Sequence, residues 1–296
     1  MTSANPEDPF VAHRGLLFTV AYEMLGSAAD AEDVVQETWL RWADLDAPAR
    51  AAVRDERAYL VQIVTRQALN RLRTLSRRRE DYVGDWLPEP LLTSPDVAED
   101  VELAESVSFA MLTVLETLGP IERAVFVLRE VFDVPYEEIA EAVGKSPASV
   151  RQIAHRARGH VAARRPRMAV SRNEQQQVVD RFLAALADGD LLGLMDVLAP
   201  DVVMVADGGG LAQAIKRPVE GGRKVAQLLS NFARLVPQAR ITTVLINGAV
   251  ALLIDQGREV DTAITFVVAD GKIARIYAVR NPDKLERLGE VAELRR

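Results

Sequence analysis

Residues 134–161 read VPYEEIAEAVGKSPASVRQIAHRARGHV, and two helix boundaries are written into them. Pro135 opens a short helix whose first turn carries Glu137 and Glu138, carboxylates that suit the positive end of a helix dipole. Gly144 can take the left-handed conformation that ends it. Ser146 followed by Pro147 is then a cap and a first-turn proline, which start a second helix running to about Val161. Ala140, Gly144, Val150 and Ile153 are spaced so that the two helices cross closely at a steep angle. With Val150, Ile153, Ala154, Ala157 and Val161 turned inward, the outer set is Ser149, Arg151, Gln152, His155, Arg156 and Arg158. This is a helix-turn-helix whose second helix carries no acid. Such a face fits the major groove of DNA, where arginine pairs with guanine edges or phosphates and glutamine reads adenine. His155 and His160 have no partner cluster, so no metal is expected from them.

At 296 residues the chain is long enough for two or three domains. The absence of cysteine excludes disulfides, thiolate zinc sites and a cysteine nucleophile. No apolar run approaches the ~20 residues of a membrane span. The start, MTSANPEDPF, lacks a basic region before an apolar stretch, so the expectation is a cytoplasmic chain with no membrane partner. The net charge of −7 arises in residues 1–170, with 20 Lys/Arg against 27 Asp/Glu, whereas residues 171–296 hold 16 of each. Residues 66–79 and 146–167 nevertheless contain six arginines each and no acid, and the stretch between them, 80–105, is acidic and has no base. Two DNA-facing surfaces separated by an acidic spacer are the natural reading.

Periodicity places helices from Val11 to about Arg79, broken near Pro48. One of them, DAEDVVQETWLRWAD (30–44), starts on an aspartate cap and puts Val34, Val35, Thr38 and Trp42 near one side. Asp33, Gln36, Glu37 and Arg41 project elsewhere. A further helical region, Val107 to Val131, is interrupted at Gly119-Pro120. The polar stretch RRPRMAVSRNEQQQ (164–177) joins this helical part to a different pattern. From Glu174 that pattern is two helices, the strand and loop DVVMVADGGG, a helix from Gly222 to Leu235, and strand-like stretches with a hairpin signal at Asp270-Gly271. Helices before a curved antiparallel sheet indicate an α+β domain.

Taken as a set, DAEDVVQETWLRWAD, AYLVQIVTRQALNRLRTLSRRR (58–79) and the helix-turn-helix resemble the two conserved domains of extracytoplasmic-function (ECF) sigma factors, promoter-recognition subunits of bacterial RNA polymerase. The resemblance covers residues 9–165 and implies two partners, core polymerase (its clamp coiled coil and flap) and promoter DNA. It implies that Asp33, Gln36, Glu37 and Arg41 dock on the clamp coiled coil. Gln67, Asn70, Arg71 and Arg73 would face the melted strand, and Ser149, Arg151, Gln152, His155, Arg156 and Arg158 would read the upstream element. Gln67 and Asn70 stand where the family more often has an asparagine and an aspartate, which leaves the preferred bases open. Residues 174–296 resemble the SnoaL-like, nuclear-transport-factor-2-like (NTF2-like) cone. A subgroup of these sigma factors fuses that cone to the sigma domains and carries three motifs, found here as WLPEP (86–90), DGGG (207–210) and NPDKL (281–285).

The expected architecture is therefore multidomain. All-α sigma domains (9–82 and 105–167), joined by an acidic linker (83–104), are followed by an α+β cone (174–296). The cone has no histidine or cysteine and only one tyrosine, Tyr277. Asp207, Asp255 and Asp261 sit beside turn or strand-end signals, so neither catalysis nor a cofactor is expected; a small ligand in the cone stays open. Three glycines after Asp207 suit a loop, and no Walker lysine follows them. A mere tether needs no Trp86 or Leu87. Trp86, Leu87 and Pro88 are expected to dock on the cone near Asp207, Gly208 and Gly209 or near Asn281, Pro282, Asp283 and Lys284, and so let the cone adjust sigma activity. Packing of Trp86 on the sigma helices alone is the alternative. At the level of function, the alternative is a ligand-responsive helix-turn-helix regulator acting without polymerase.

Overall fold

The computed structural model describes residues 8–80, 82–164, 170–236, 238–257 and 260–296. The side chains of 76–80 and 233 fall outside that description, and with them the arginines at 77–79; the basic joint at 165–169 lies outside it as well. The chain forms two compact units: Met1–Glu80, Met111–Arg165 and Glu293–Arg296 make the first, and Asp81–Ala110 with Pro166–Ala292 make the second.

In the first unit, Asp8 caps α1 (Pro9–Leu25) by accepting the Phe10 amide at 2.9 Å, and it also accepts the Trp42 indole N–H at 3.0 Å. Helix α2 (Ala28–Ala43) starts from Ser27, whose Oγ accepts the Asp30 amide at 3.2 Å. The start is thus earlier than the Asp30 cap read from sequence, which leaves Asp30 in the first turn, where its charge suits the dipole. Val34, Val35, Thr38 and Trp42 are buried, together with Ala28 and Ala31. After α3 (Ala47–Ala52), α4 (Glu56–Glu80) buries Leu60, Val64, Ala68 and Leu72 at helical spacing.

The chain then passes through the second unit as β1 (Leu92–Thr93), α5 (Pro95–Glu99), α6 (Val101–Ser106) and the start of α7 (Phe109–Leu115). It returns for α8 (Pro120–Phe126), a π-helical turn (Val127–Val131), α9 (Tyr136–Val143) and α10 (Pro147–Arg164). Ile139, Ala140 and Val143 of α9 are buried, as are Val150, Ala154, Ala157 and Val161 of α10. Gly144 is exposed at φ 67°, with no atom where a Cβ would stand. It therefore serves the turn, and its expected place in the helix crossing is corrected.

The second unit continues with α11 (Arg172–Asp188), α12 (Leu191–Val197), β2 (Leu198–Asp207), β3 (Val219–Glu220), α13 (Gly222–Leu229) and α14 (Phe232–Leu235). Then come β4 (Arg240–Ile246), β5 (Ala249–Asp255), β6 (Val260–Ala269), β7 (Lys272–Val279), α15 (Pro282–Leu285) and β8 (Val291–Ala292). The single helix expected over 222–235 is two. Ser230 Oγ and Asn231 Nδ2 each donate to the Gln227 carbonyl at 3.1 Å, side-chain bonds that compete with helix continuation. The strands form one sheet in the order β3-β2-β7-β6-β5-β4-β1-β8. Asp270-Gly271 turns β6 into β7 and Asn247-Gly248 turns β4 into β5, all four residues having positive φ as a primed turn requires.

Both faces of this sheet are covered, because successive strand residues point to opposite sides. Leu252, Ile254, Ile264, Phe266 and Ile276 cluster with Val178, Phe182 and Leu186 of α11 and Val225 of α13. Ala251, Ala263, Val267, Tyr277 and Val279 cluster with Leu87, Phe109, Ala110, Leu285 and Leu288. The acidic segment thus supplies part of the core of the second unit and, as β1, one of its strands: Leu92 pairs with Ile246 on one side and Val291 on the other. This is the α+β cone expected after the helical regions.

Candidate functional site

The two residue sets singled out on the first helices lie against each other. On α2, Asp33, Gln36, Glu37 and Arg41 are exposed; on α4, Asn70 and Arg73 are exposed while Gln67 and Arg71 are half-buried. Arg71 reaches back to α2, where its guanidinium lies 3.1 Å from Asp33, 3.4 Å from Asp30 and 3.6 Å from Glu37. Gln67 Nε2 donates to Glu37 Oε2 at 2.9 Å, and Arg73 donates to Asn70 Oδ1 at 3.3 Å. Asp30 is a member of this network that sequence reading missed, since its spacing from Arg71 is non-local.

On α10, Arg151, Gln152, His155, Arg156 and Arg158 are exposed on one face. Ser149, expected on the exposed face, is half-buried, and its amide and hydroxyl engage Ser146 Oγ at 3.2 and 3.0 Å in the cap. Each of three arginines faces a carboxylate from an earlier element: Arg151 lies 2.8 Å from Glu137, Arg158 lies 3.4 Å from Glu130 and Arg156 lies 4.0 Å from Glu122. Arg151 and Arg129 also stand 5.4 and 5.0 Å from the Tyr136 ring centre. His160 meets the Thr117 hydroxyl at 2.7 Å. Among the described residues, no three His, Cys, Asp or Glu side chains are grouped so as to hold a metal ion.

In the second unit, the three motif segments converge on Asp207, which is fully buried. Its Oδ1 accepts from the Tyr82 hydroxyl at 2.6 Å and the Gly209 amide at 3.0 Å; its Oδ2 accepts from the Leu87 amide at 2.9 Å and Lys284 Nζ at 2.7 Å. Lys284 Nζ also donates to the Leu87 carbonyl and lies 4.1 Å from the centre of the Trp86 ring, a cation–π contact within a largely buried site. Asn281 donates to the Tyr82 oxygen at 2.8 Å and caps α15 by accepting the Asp283 amide at 3.1 Å. Pro88 is buried, whereas Pro282 and Asp283 are exposed on the first turn of α15.

The glycines of the loop answer to this crowding. A Cβ on Gly209, which has φ 60°, would fall 2.3 Å from Asn281 Nδ2, and one on Gly208 would fall 2.4 Å from the Ala212 carbonyl. Burial first, then the hydrogen bond to Asp207 and the charge of that carboxylate, raise the Tyr82 pKa well above its usual value, so the phenol stays a donor. Tyr82 was not singled out from sequence.

A second clamp holds the same segment. Asn247 Oδ1 accepts the Leu91 amide at 2.9 Å, its Nδ2 donates to the Val107 carbonyl at 2.8 Å, and the Gly248 amide donates to Thr93 Oγ1 at 3.0 Å.

The other two aspartates beside turn or strand-end signals are engaged locally: Asp255 accepts the Gly257 amide at 2.7 Å, and Asp261 accepts the Thr262 hydroxyl at 2.7 Å. Inside the cone, Phe182 packs edge-on against Phe266 with ring centres 5.3 Å apart. A cavity of 430 Å³ lies beside β4 and the start of α11, lined by Pro95, Arg172, Gln176, Thr243 and Leu245 among others.

Comparison with known proteins gives this arrangement its context. Residues 10–78 match the sigma-70 region 2 family and residues 108–161 match sigma-70, region 4. The chain is 38% identical over 289 residues to the ECF RNA polymerase sigma factor SigJ of Mycobacterium tuberculosis, spanning 93% of this chain and 91% of the relative. It is 33% identical to the probable ECF RNA polymerase sigma factor SigI of the same species, over 94% of this chain and 93% of the relative. The crystal structure of M. tuberculosis SigJ superposes with a TM-score of 0.74 at 36% identity, covering 93% of this chain and 96% of that one. With relatives matched along nearly their whole length, the second unit included, the chain belongs to the ECF RNA polymerase sigma factors.

Proposed function

We propose that this sigma factor carries its polymerase-binding and strand-capturing residues on 9–82 and its upstream-element reader on 105–167. In this reading the cone at 174–296 modulates both through the segment 83–104. Asp33, Gln36, Glu37 and Arg41 would meet the clamp coiled coil of core polymerase. Gln67, Asn70, Arg71 and Arg73 would take up the melted strand, which needs an unstacked base held while arginines track the backbone. Ser149, Arg151, Gln152, His155, Arg156 and Arg158 would read duplex DNA, and the helix-turn-helix domain would meet the polymerase flap. Strand opening is driven by binding, so no covalent step is asked of the chain, which works in the cytoplasm with the polymerase.

The observation that carries the modulatory role is the convergence of Trp86, Leu87, Asp207, Gly209, Asn281 and Lys284 around one buried ion pair. A connector between two DNA-binding regions that merely spans a gap has no use for such a fixture. A connector through which the cone is sensed does.

Run-off transcription with core polymerase tests this. Trp86→Ala is expected to change transcription by the full-length protein several-fold, on the order of the ~1 kcal/mol that a partly exposed cation–π contact carries. It should leave a version ending at residue 168 unaffected. Equal effects on both versions would remove the cone from the account.

A further inference from the structure

Helices α2 and α4 meet along apolar stripes, and at the rim of that contact one guanidinium stands among three carboxylates. Arg71 lies 3.1 Å from Asp33, 3.4 Å from Asp30 and 3.6 Å from Glu37, and Gln67 adds its amide to Glu37 at 2.9 Å. Arg71 is about one-quarter exposed (26%) and Asp30 less (19%), so these charges interact through a partly dry rim and are less screened than freely solvated ones. The guanidinium donates from a fixed planar fork, so the edge turned to Asp33 and Asp30 is not open to a phosphate while those carboxylates hold it.

Two roles therefore meet on the same atoms. If α2 docks on polymerase, as proposed above, the surface it meets must be basic to match Asp33 and Glu37, and it competes with Arg71 for them. We propose that Asp30 is a positioning residue which, with Asp33 and Glu37, parks Arg71 and Gln67 against α2 until polymerase takes over the outer carboxylates. Strand capture then follows docking because docking frees the residues that capture. Asp30 sets the strength of the hold, being the least exposed of the three acids: Asp33 and Glu37 are 59% and 48% exposed. Linkage makes the coupling reciprocal, so single-stranded DNA that takes Arg71 also raises affinity for polymerase by the same factor.

The test uses the full-length protein, purified core polymerase and a fluorescein-labelled single-stranded DNA pool of mixed sequence about 12 nucleotides long. Without polymerase, Asp30→Asn is expected to bind the pool about five-fold more tightly than the unaltered protein, the range that release of a part-buried ion pair allows. Asp30→Glu, which keeps the charge, returns the affinity toward the starting value. Arg71→Gln weakens DNA binding yet tightens core polymerase binding about two- to five-fold, because it removes the internal competitor. A network that only glued α2 to α4 would give the reverse for polymerase. Unchanged or weaker DNA binding by Asp30→Asn at full helicity, or weaker polymerase binding by Arg71→Gln, overturns the proposal. Failure of the unaltered protein to bind core polymerase would overturn the assignment of α2 itself and is read separately in the same titration.

Discussion

At the scale of single residues, Asp207 shows how much polar chemistry a buried site needs before it is stable. Four donors reach its two oxygens, and one of them, Lys284, brings the compensating charge. Removing one partner of a buried pair leaves the other uncompensated, which costs about 3–5 kcal/mol. Asp207→Asn keeps the volume and discards the charge, so its calorimetric transition for the second unit is expected to fall on the order of 10 °C. A shift under about 2 °C would mean that water already screens Lys284. Tyr82 adds a pH dependence. Its folded pKa lies above the unfolded value near 10, so its contribution is complete below about pH 10 and is lost as pH rises toward the folded value. Unaltered protein should therefore lose stability more steeply than Tyr82→Phe above about pH 10.

At the scale of elements, α10, the helix proposed to read duplex DNA, has charges that are already paired. Arg151, Arg156 and Arg158 each face a glutamate, and in the proposed reading DNA phosphates have to displace those carboxylates. Exposed pairs contribute at most about 1 kcal/mol. Glu137→Gln is thus expected to raise duplex affinity about two- to five-fold and to steepen its salt dependence, since no freed carboxylate then recruits a cation. Equal slopes for the two proteins would show that the pair is already open in solution.

The helix itself was legible in the sequence, because Pro135, Gly144, Ser146 and Pro147 are local signals that act through their own backbone. Its ion pairs were not, since Glu122, Glu130 and Glu137 come from other turns of the chain. The same division holds elsewhere. WLPEP, DGGG and NPDKL could be recognised as motifs and Trp86 as misplaced in a tether, whereas Tyr82, Asp30 and the Asn247 clamp depend on non-local packing. That the acidic segment becomes strand β1 was hidden for another reason: two residues of strand carry no periodicity.

At the scale of the whole molecule, the chain crosses between its units four times: after residues 80, 110, 165 and 292. The first unit is consequently assembled from separate stretches, and region 2 and region 4 must be held to each other by side chains. Arg123 of α8 is one such tie. It is 2% exposed, donates through Nε to the Glu23 carbonyl at the end of α1 at 2.9 Å, and pairs with Glu116. A buried guanidinium is tolerated only with such partners, and its deletion strands the acid it served. Arg123→Met keeps the bulk and removes the charge, which is expected to cost the first unit about 3–5 kcal/mol. The first unit's calorimetric transition should drop on the order of 10 °C while that of the second unit holds. Hydrogen exchange locates the effect: the amides at the C-terminal end of α1 should lose protection along with those of α8. If α8 alone loosens, Arg123 stabilises its own helix, and the tie between the two regions rests on the apolar contacts instead.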